Sequence, residues 1–170
     1  LRSNQDYWKK TLGGKVNLYT SDLGFDVSAD YNKQEEFHAR ANLGQVVAAV
    51  GTLAEGGSMI TKQYTFFTKF TQSMLQELTK CFTRLIVAKP VTSKVDNSEV
   101  YIIGFGFKVK ESEDVYNDLL DRLENWDEKL SAIKSISDDF CNCLTIAANE
   151  IYSRQIDKLN KNLEMYELYK

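Results

Sequence analysis

The sequence predicts an α/β domain built on a mixed sheet. Three observations carry that prediction: strand-like and helix-like runs alternate from Lys15 to Ala88, the links between them are short, and a fourth strand follows without room for a crossover helix. Parallel neighbours need a crossover of about a dozen residues or more, usually a helix. The 170 residues, 43% hydrophobic and 26% charged, suffice for one buried core and are ordinary for a globular chain.

Residues 15–21, KVNLYTS, alternate and are rich in strand formers. They stop in Asp22-Leu23-Gly24-Phe25-Asp26, where carboxylates flank a turn glycine. From Asn32 to Glu55 the apolar residues Phe37, Ala41, Leu43, Val46, Val47, Val50, Leu53 and Ala54 recur at helical spacing, and Gly56-Gly57 is the expected stop. Ser58 to Lys62 reads as a short strand, Phe67 to Phe82 as a helix, and Arg84 to Ala88 as a strand ahead of the lone proline, Pro90. Ser98 to Lys108 is strongly strand-like, and the link KPVTSKVDN before it is too short for a helix. This last strand should pair antiparallel with one neighbour, making the sheet mixed at that edge.

Beyond Glu111 helix formers with alternating charge take over. Val115, Leu119, Leu120, Leu123 and Trp126 mark one amphipathic helix, and the apolar positions from Phe140 to Tyr166 mark a longer helix or a broken pair. The expected division is an α/β part, 1–110, and a helical appendage, 111–170. Ile156, Leu159, Leu163 and Tyr166 fit an a/d pattern too short for a coiled coil. Packing on its own domain is the expectation for this tail, and docking of a protein partner is the alternative.

Lys and Arg total 21 against 24 Asp and Glu, a formal charge of -3, which excludes a generally basic coat. Any RNA or DNA contact must be concentrated. No apolar run approaches the roughly 20 residues of a membrane span, and LRSNQDYWKK lacks the apolar core of a secretory signal. A soluble cytoplasmic protein with no membrane partner is expected, and because no Met opens it, it is expected to lie within a longer polypeptide or to follow a processed end. Cys81, Cys141 and Cys143 form no C-x-x-C pair and read as reduced thiols; with one histidine they are too few for a structural zinc site. That histidine, His38, stands among Gln34, Glu35, Glu36 and Arg40, where a solvated helix face is expected.

Sites in open α/β sheets lie beyond the carboxyl ends of the strands. Asp22 follows the first strand, Lys62 ends the second, Lys94 lies in the loop after the third, and Glu99 opens the antiparallel strand. Four separate segments thus bring these residues to one rim. Carboxylate neighbours favour the lysine's charged form, while burial or another cation favours the neutral one. The residues alone leave both a catalytic set and a rim ion-pair network open. Tyr64, Phe66, Phe67 and Phe70 could stack bases, but the spacing of Phe67 and Phe70 favours core packing, which leaves Tyr64 as the RNA-contact candidate.

SDLGFD, NKQEEFHARANLGQVVAAVGTLAEGGSMITKQYTFF and LIVAKPVTSKVDNSEVYIIGFGF resemble the later half of the FtsJ-like ribose 2'-O-methyltransferases, most of all the cap-specific branch of eukaryotes and large cytoplasmic DNA viruses of the African swine fever type. The matching elements are an Asp-Gly-Gly-like loop (Asp22-Leu23-Gly24), a helix carrying Gln45, the set Gly56, Gly57 and Lys62, and a Lys-Pro-x-Thr-Ser-Lys…Asn-Ser-Glu-x-Tyr segment from Lys89 to Tyr101. Leu23 departs from the family's Asp-Gly-Gly. The resemblance runs from about Val16 to Phe107 and stops short of the tail.

The resemblance implies a Rossmann-like methyltransferase sheet. Its N-terminal part, with the glycine-rich S-adenosylmethionine loop and the first lysine of a Lys-Asp-Lys-Glu tetrad, lies upstream of this chain. The other tetrad members map onto Asp22, Lys62 and Glu99. Lys62 is implied to take the proton of a ribose 2'-hydroxyl or to orient its oxygen, with Asp22 and Glu99 positioning the lysine. Asp22, Leu23 and Gly24 border the cofactor S-adenosylmethionine, and Thr92, Ser93, Lys94, Asn97 and Ser98 meet RNA, with capped mRNA the implied partner. The viral members imply a cytoplasmic factory or virion. Two alternatives stay open: an inactive RNA-binding or scaffolding subunit of a capping complex, and a methyltransferase of ribosomal or transfer RNA.

Overall fold

Among the residues that the computed structural model describes, 7, 10, 11, 15–28, 30–126 and 134–170, four strands form a single sheet. In chain order the elements are β1 (Val16–Ser21), a 3-10 turn (Tyr31–Lys33), α1 (Gln34–Thr52), β2 (Leu53–Gln63), α2 (Lys69–Cys81), β3 (Phe82–Ala88), β4 (Val100–Phe107), α3 (Val109–Glu124) and α4 (Asp138–Leu168). The spatial order is β1-β2-β4-β3. β1 and β2 are parallel, and β4 is antiparallel to both of its neighbours.

The mixed α/β sheet is the one the sequence predicts, but β4 is not paired with a single neighbour at an edge. It lies between β2 and β3, and β3 takes the edge. A helix about 10 Å across covers roughly two strand spacings of about 4.8 Å, so the α2 crossover sets β3 down two places from β2. The link 89–99 then returns β4 into the gap, where its backbone groups find partners on both sides.

Gly56 and Gly57 do not stop a helix. α1 ends at Thr52, β2 begins at Leu53, and both glycines lie inside the strand. Val16 pairs with Leu53 but Leu18 pairs with Ser58, so β2 bulges between these points. Gly56 allows this with a φ of 75°, a region glycine enters without steric cost. The bulge sets the phase of the strand: beyond it Met59, Thr61 and Gln63 are buried, while Ile60 and Lys62 point to the opposite, half-buried face.

α1, α2 and α3 cover the face that carries Met59 and Ile102. Leu43, Val47 and Val50 meet Leu75, Leu78, Leu119 and Leu120 there, none more than 3% exposed. α3 is tied to β2 by Glu55, whose Oε2 accepts from the Val109 N–H at 2.8 Å and places a carboxylate at the positive end of the helix. α4 is one continuous helix rather than a broken pair, and Leu144 is its buried residue. No helix among the described residues is long and apolar enough to cross a membrane.

Candidate active site

Ser21 pairs with Thr61, so the residues that follow them, Asp22 and Lys62, emerge side by side at the carboxyl ends of β1 and β2. Lys62 Nζ lies 2.5 Å from Asp22 Oδ1; the lysine side chain is 12% exposed and the aspartate 73%. Gly24 lets this loop fold closely over the lysine. A Cβ there would stand 2.6 Å from the Tyr64 hydroxyl and 3.2 Å from Lys62 Nζ. The Tyr64 ring lies 5.7 Å from the same nitrogen, within cation–π reach.

Burial pushes the Lys62 amine down, but the hydrogen bond to Asp22 and the charges of Tyr64, Asp22 and Glu99 together outweigh it and raise its pKa above the ordinary lysine value. The resting rim therefore holds an ammonium paired to a carboxylate at neutral pH.

Glu99 comes from the opposite side, two residues before Tyr101, the β4 partner of Lys62. Its Oε1 accepts from the Tyr101 hydroxyl at 3.0 Å and from Ser93 Oγ at 3.4 Å. Burial pushes the Tyr101 phenol up, and the bond to Glu99 adds to the effect. Lys89 holds the loop behind it, donating to Asn97 Oδ1 and to the carbonyls of Asn97 and Glu99 at 2.8 to 2.9 Å. Its burial lowers its pKa against the fields of Glu99 and Asp96. The structure thus joins Asp22 to Lys62 directly and brings Glu99 into their electrostatic reach. Thr92 and Lys94 are exposed, Ser98 is half-buried, and Ser93 and Asn97 are engaged in holding Glu99 and Lys89.

A polar stripe on α1, Glu35, His38, Asn42 and Gln45, supports the site from below, and all four side chains are buried. Gln45 Oε1 accepts from the Leu23 N–H, and His38 Nε2 accepts from the Phe25 N–H, each at 3.2 Å. His38 Nδ1 donates to the Gln34 carbonyl at 2.8 Å. The imidazole stacks on Phe25 with ring centroids 4.0 Å apart and meets the Tyr64 ring at 4.5 Å. His38 is therefore fully buried, contrary to the expected solvated face, because both loops of the rim close over it. Glu35 accepts from Thr65 Oγ1, Phe67 N, Thr68 N and Thr68 Oγ1 at 2.6 to 2.9 Å. That carboxylate fixes the loop after Lys62. Phe67 is 57% exposed rather than in the core; Phe66, 1% exposed, takes that place because the loop runs to Thr68 before α2 starts.

In the sequence Gln45 alone of this stripe stands out, as a family-matching position, while Glu35 and His38 read as solvated. Positions 35, 38, 42 and 45 recur at helical spacing and so share one face, but Glu36 and Arg40 beside them make the segment look solvated.

An FtsJ-like methyltransferase family model matches residues 2–107, and the chain belongs to that family. A protein of African swine fever virus (a Kenyan pig isolate) named a probable methyltransferase is 34% identical over 156 residues, 89% of this chain and 36% of the relative. That alignment is longer than the family match, so it takes in part of the helical tail. The cap-specific mRNA (nucleoside-2'-O-)-methyltransferase 2 of Drosophila melanogaster is 38% identical over 90 residues, 53% of this chain and 13% of the relative. Its Danio rerio counterpart is 29% identical over 158 residues, 89% of this chain and 21% of the relative. The chain spans about a third of the length of the viral relative. A solved structure named a ribosomal RNA methyltransferase, from Plasmodium falciparum, aligns at 17% identity with a TM-score of 0.43, over 60% of this chain and 53% of that one.

Proposed function

We propose that the chain is the acceptor-side part of an enzyme that methylates a ribose 2'-hydroxyl of RNA at the mRNA 5' cap, using S-adenosylmethionine. The observation that carries this reading is the Lys62–Asp22 pair, a largely enclosed amine bonded to an exposed carboxylate at the carboxyl edge of the sheet. The relatives named as cap-specific mRNA methyltransferases supply the substrate class.

The residues present fit the cofactor. Asp22 presents an open carboxylate at the rim, and Gly24 leaves a hollow against Lys62 and Tyr64 that a side chain would fill. Asp22, Leu23 and Gly24 would border S-adenosylmethionine, which when bound supplies the electrophilic methyl group. Methyl transfer depends mainly on alignment. Lys62 meets that need by holding the ribose 2'-oxygen through a hydrogen bond, and in its neutral form it accepts the hydroxyl proton. Glu99, braced by Tyr101 and Ser93, adds negative potential on the other side. Tyr64 supports the lysine from below, and Thr92 and Lys94 offer the exposed contacts suited to phosphate.

The test is transfer of labelled methyl from S-adenosylmethionine to capped and uncapped RNA by the full-length protein, with nuclease mapping of the product. Label on a ribose 2'-oxygen of the capped RNA is expected. Label on a base, or equal labelling of uncapped RNA, overturns the cap reading, and RNA binding without transfer favours the inactive subunit.

A further inference from the structure

We propose that a cleft between the β3–β4 loop and α4 binds one nucleotide flanking the acceptor in the RNA, and that it prefers guanosine; this rests on the RNA reading above. The cleft holds about 310 Å³, at the lower end of the roughly 300–1,000 Å³ of small-molecule sites. Half-buried Val87 and Ile151 and exposed Pro90 and Val95 give it an aliphatic lining, and Glu150 and Arg154 line its α4 side.

Two bonds fix the α4 wall. The Tyr152 hydroxyl donates to the Tyr64 carbonyl and Gln155 Nε2 to the Asp96 carbonyl, each at 3.2 Å. The first anchors the helix two residues from Lys62 and the second two residues from Lys94, so the cleft shares a frame with the reactive lysine. Ser93 also lines the cleft and donates to Glu99, so the loop faces the rim on one side and the cleft on the other. Residues 147–154 lie outside the stretch that the family model matches, so this wall is added to the shared domain.

The chemistry of the walls selects the ligand. An aliphatic lining receives the face of a base, and single-stranded RNA is read through such splayed bases. Glu150 and Arg154 are 72% and 73% exposed and 3.9 Å apart, too far for a strong mutual bond, so both keep hydrogen-bonding capacity. A carboxylate accepts from the two adjacent N–H groups on the guanine edge, a pair that adenine lacks. Arg154 suits the phosphate beside it. The Lys89 amine is used up on Asn97 and Glu99 and takes no part.

The test is fluorescence anisotropy of the full-length chain with short capped RNAs carrying guanosine, adenosine or an abasic site at each nucleotide flanking the acceptor. At one position guanosine should bind about tenfold more tightly than the abasic site. Ile151→Trp, which fills the cleft, and Glu150→Gln should each reduce that ratio while the thermal unfolding midpoint holds. Equal affinity for all three RNAs at every position overturns the proposal, as does a preference that both variants keep. If Ile151→Trp does not fold, Glu150→Gln at its exposed position decides. Absence of any RNA binding overturns the RNA reading as well, whereas methyl transfer without a guanosine preference overturns the cleft alone.

Discussion

At the scale of single residues the site turns on the charge of Lys62. Its amine is mostly enclosed, which disfavours the ammonium, yet the bond to Asp22 restores it. A folded pKa raised above the unfolded value gives stability that is complete below the unfolded pKa, about 10.4 for lysine. That stability is lost only as pH rises through the higher folded value, so the pair is intact across the neutral range. Replacing Asp22 by Asn removes the largest raising influence and leaves burial to act. The Lys62 titration, followed by NMR of carbon-13-labelled lysine, should then move down, and the rising limb of the pH–rate profile should move with it. An unmoved titration contradicts the pairing. Lys94 is exposed and belongs to the phosphate account: Lys94→Ala should weaken RNA binding alike for all sequences and lower the salt slope by about one.

At the scale of elements, α1 acts as a jig for the loops above it. Glu35, at 6% exposure, accepts four bonds from the segment Thr65 to Thr68, so Glu35→Ala strands those donors. A loss of about 2–4 kcal/mol in urea unfolding is expected, and a change under 0.5 kcal/mol contradicts the bracing role. The alternation of strands and helices was legible because Val16–Ser21, Ser58–Lys62 and Val100–Phe107 carry strand-forming patterns and α2 and α3 carry clean apolar stripes. The bulge at Gly56 was not legible, because the pairing of Leu18 with Ser58 is a long-range register that no local pattern records. The same holds for β4, whose place between β2 and β3 depends on how far the α2 crossover reaches. His38 and Glu35 were misread for a related reason: polar residues look solvated until the loops that cover them are placed.

For the molecule as a whole, the division of labour follows the two faces of the sheet. Three helices bury one face, and the carboxyl edge beside the other carries Asp22, Lys62 and Glu99. Leu78, fully buried in α2, and Leu163, 63% exposed near the end of α4, separate core from periphery. Leu78→Ala should cost about 2–5 kcal/mol, and Leu163→Ala should stay within about 0.5 kcal/mol; equal losses contradict the picture of the C-terminal end of α4 lying outside the core. The rim set was visible in the sequence because its members sit at strand ends and in family-like motifs, whereas the α4 cleft was not, since it joins residues about 60 positions apart.

The most direct test of the account is methyl transfer to capped RNA by the full-length protein carrying Lys62→Ala. Losing the amine proposed to orient and deprotonate the acceptor should lower turnover on the order of 10²- to 10⁴-fold, with the circular dichroism spectrum of the folded protein retained. Normal turnover by the folded variant would contradict the account.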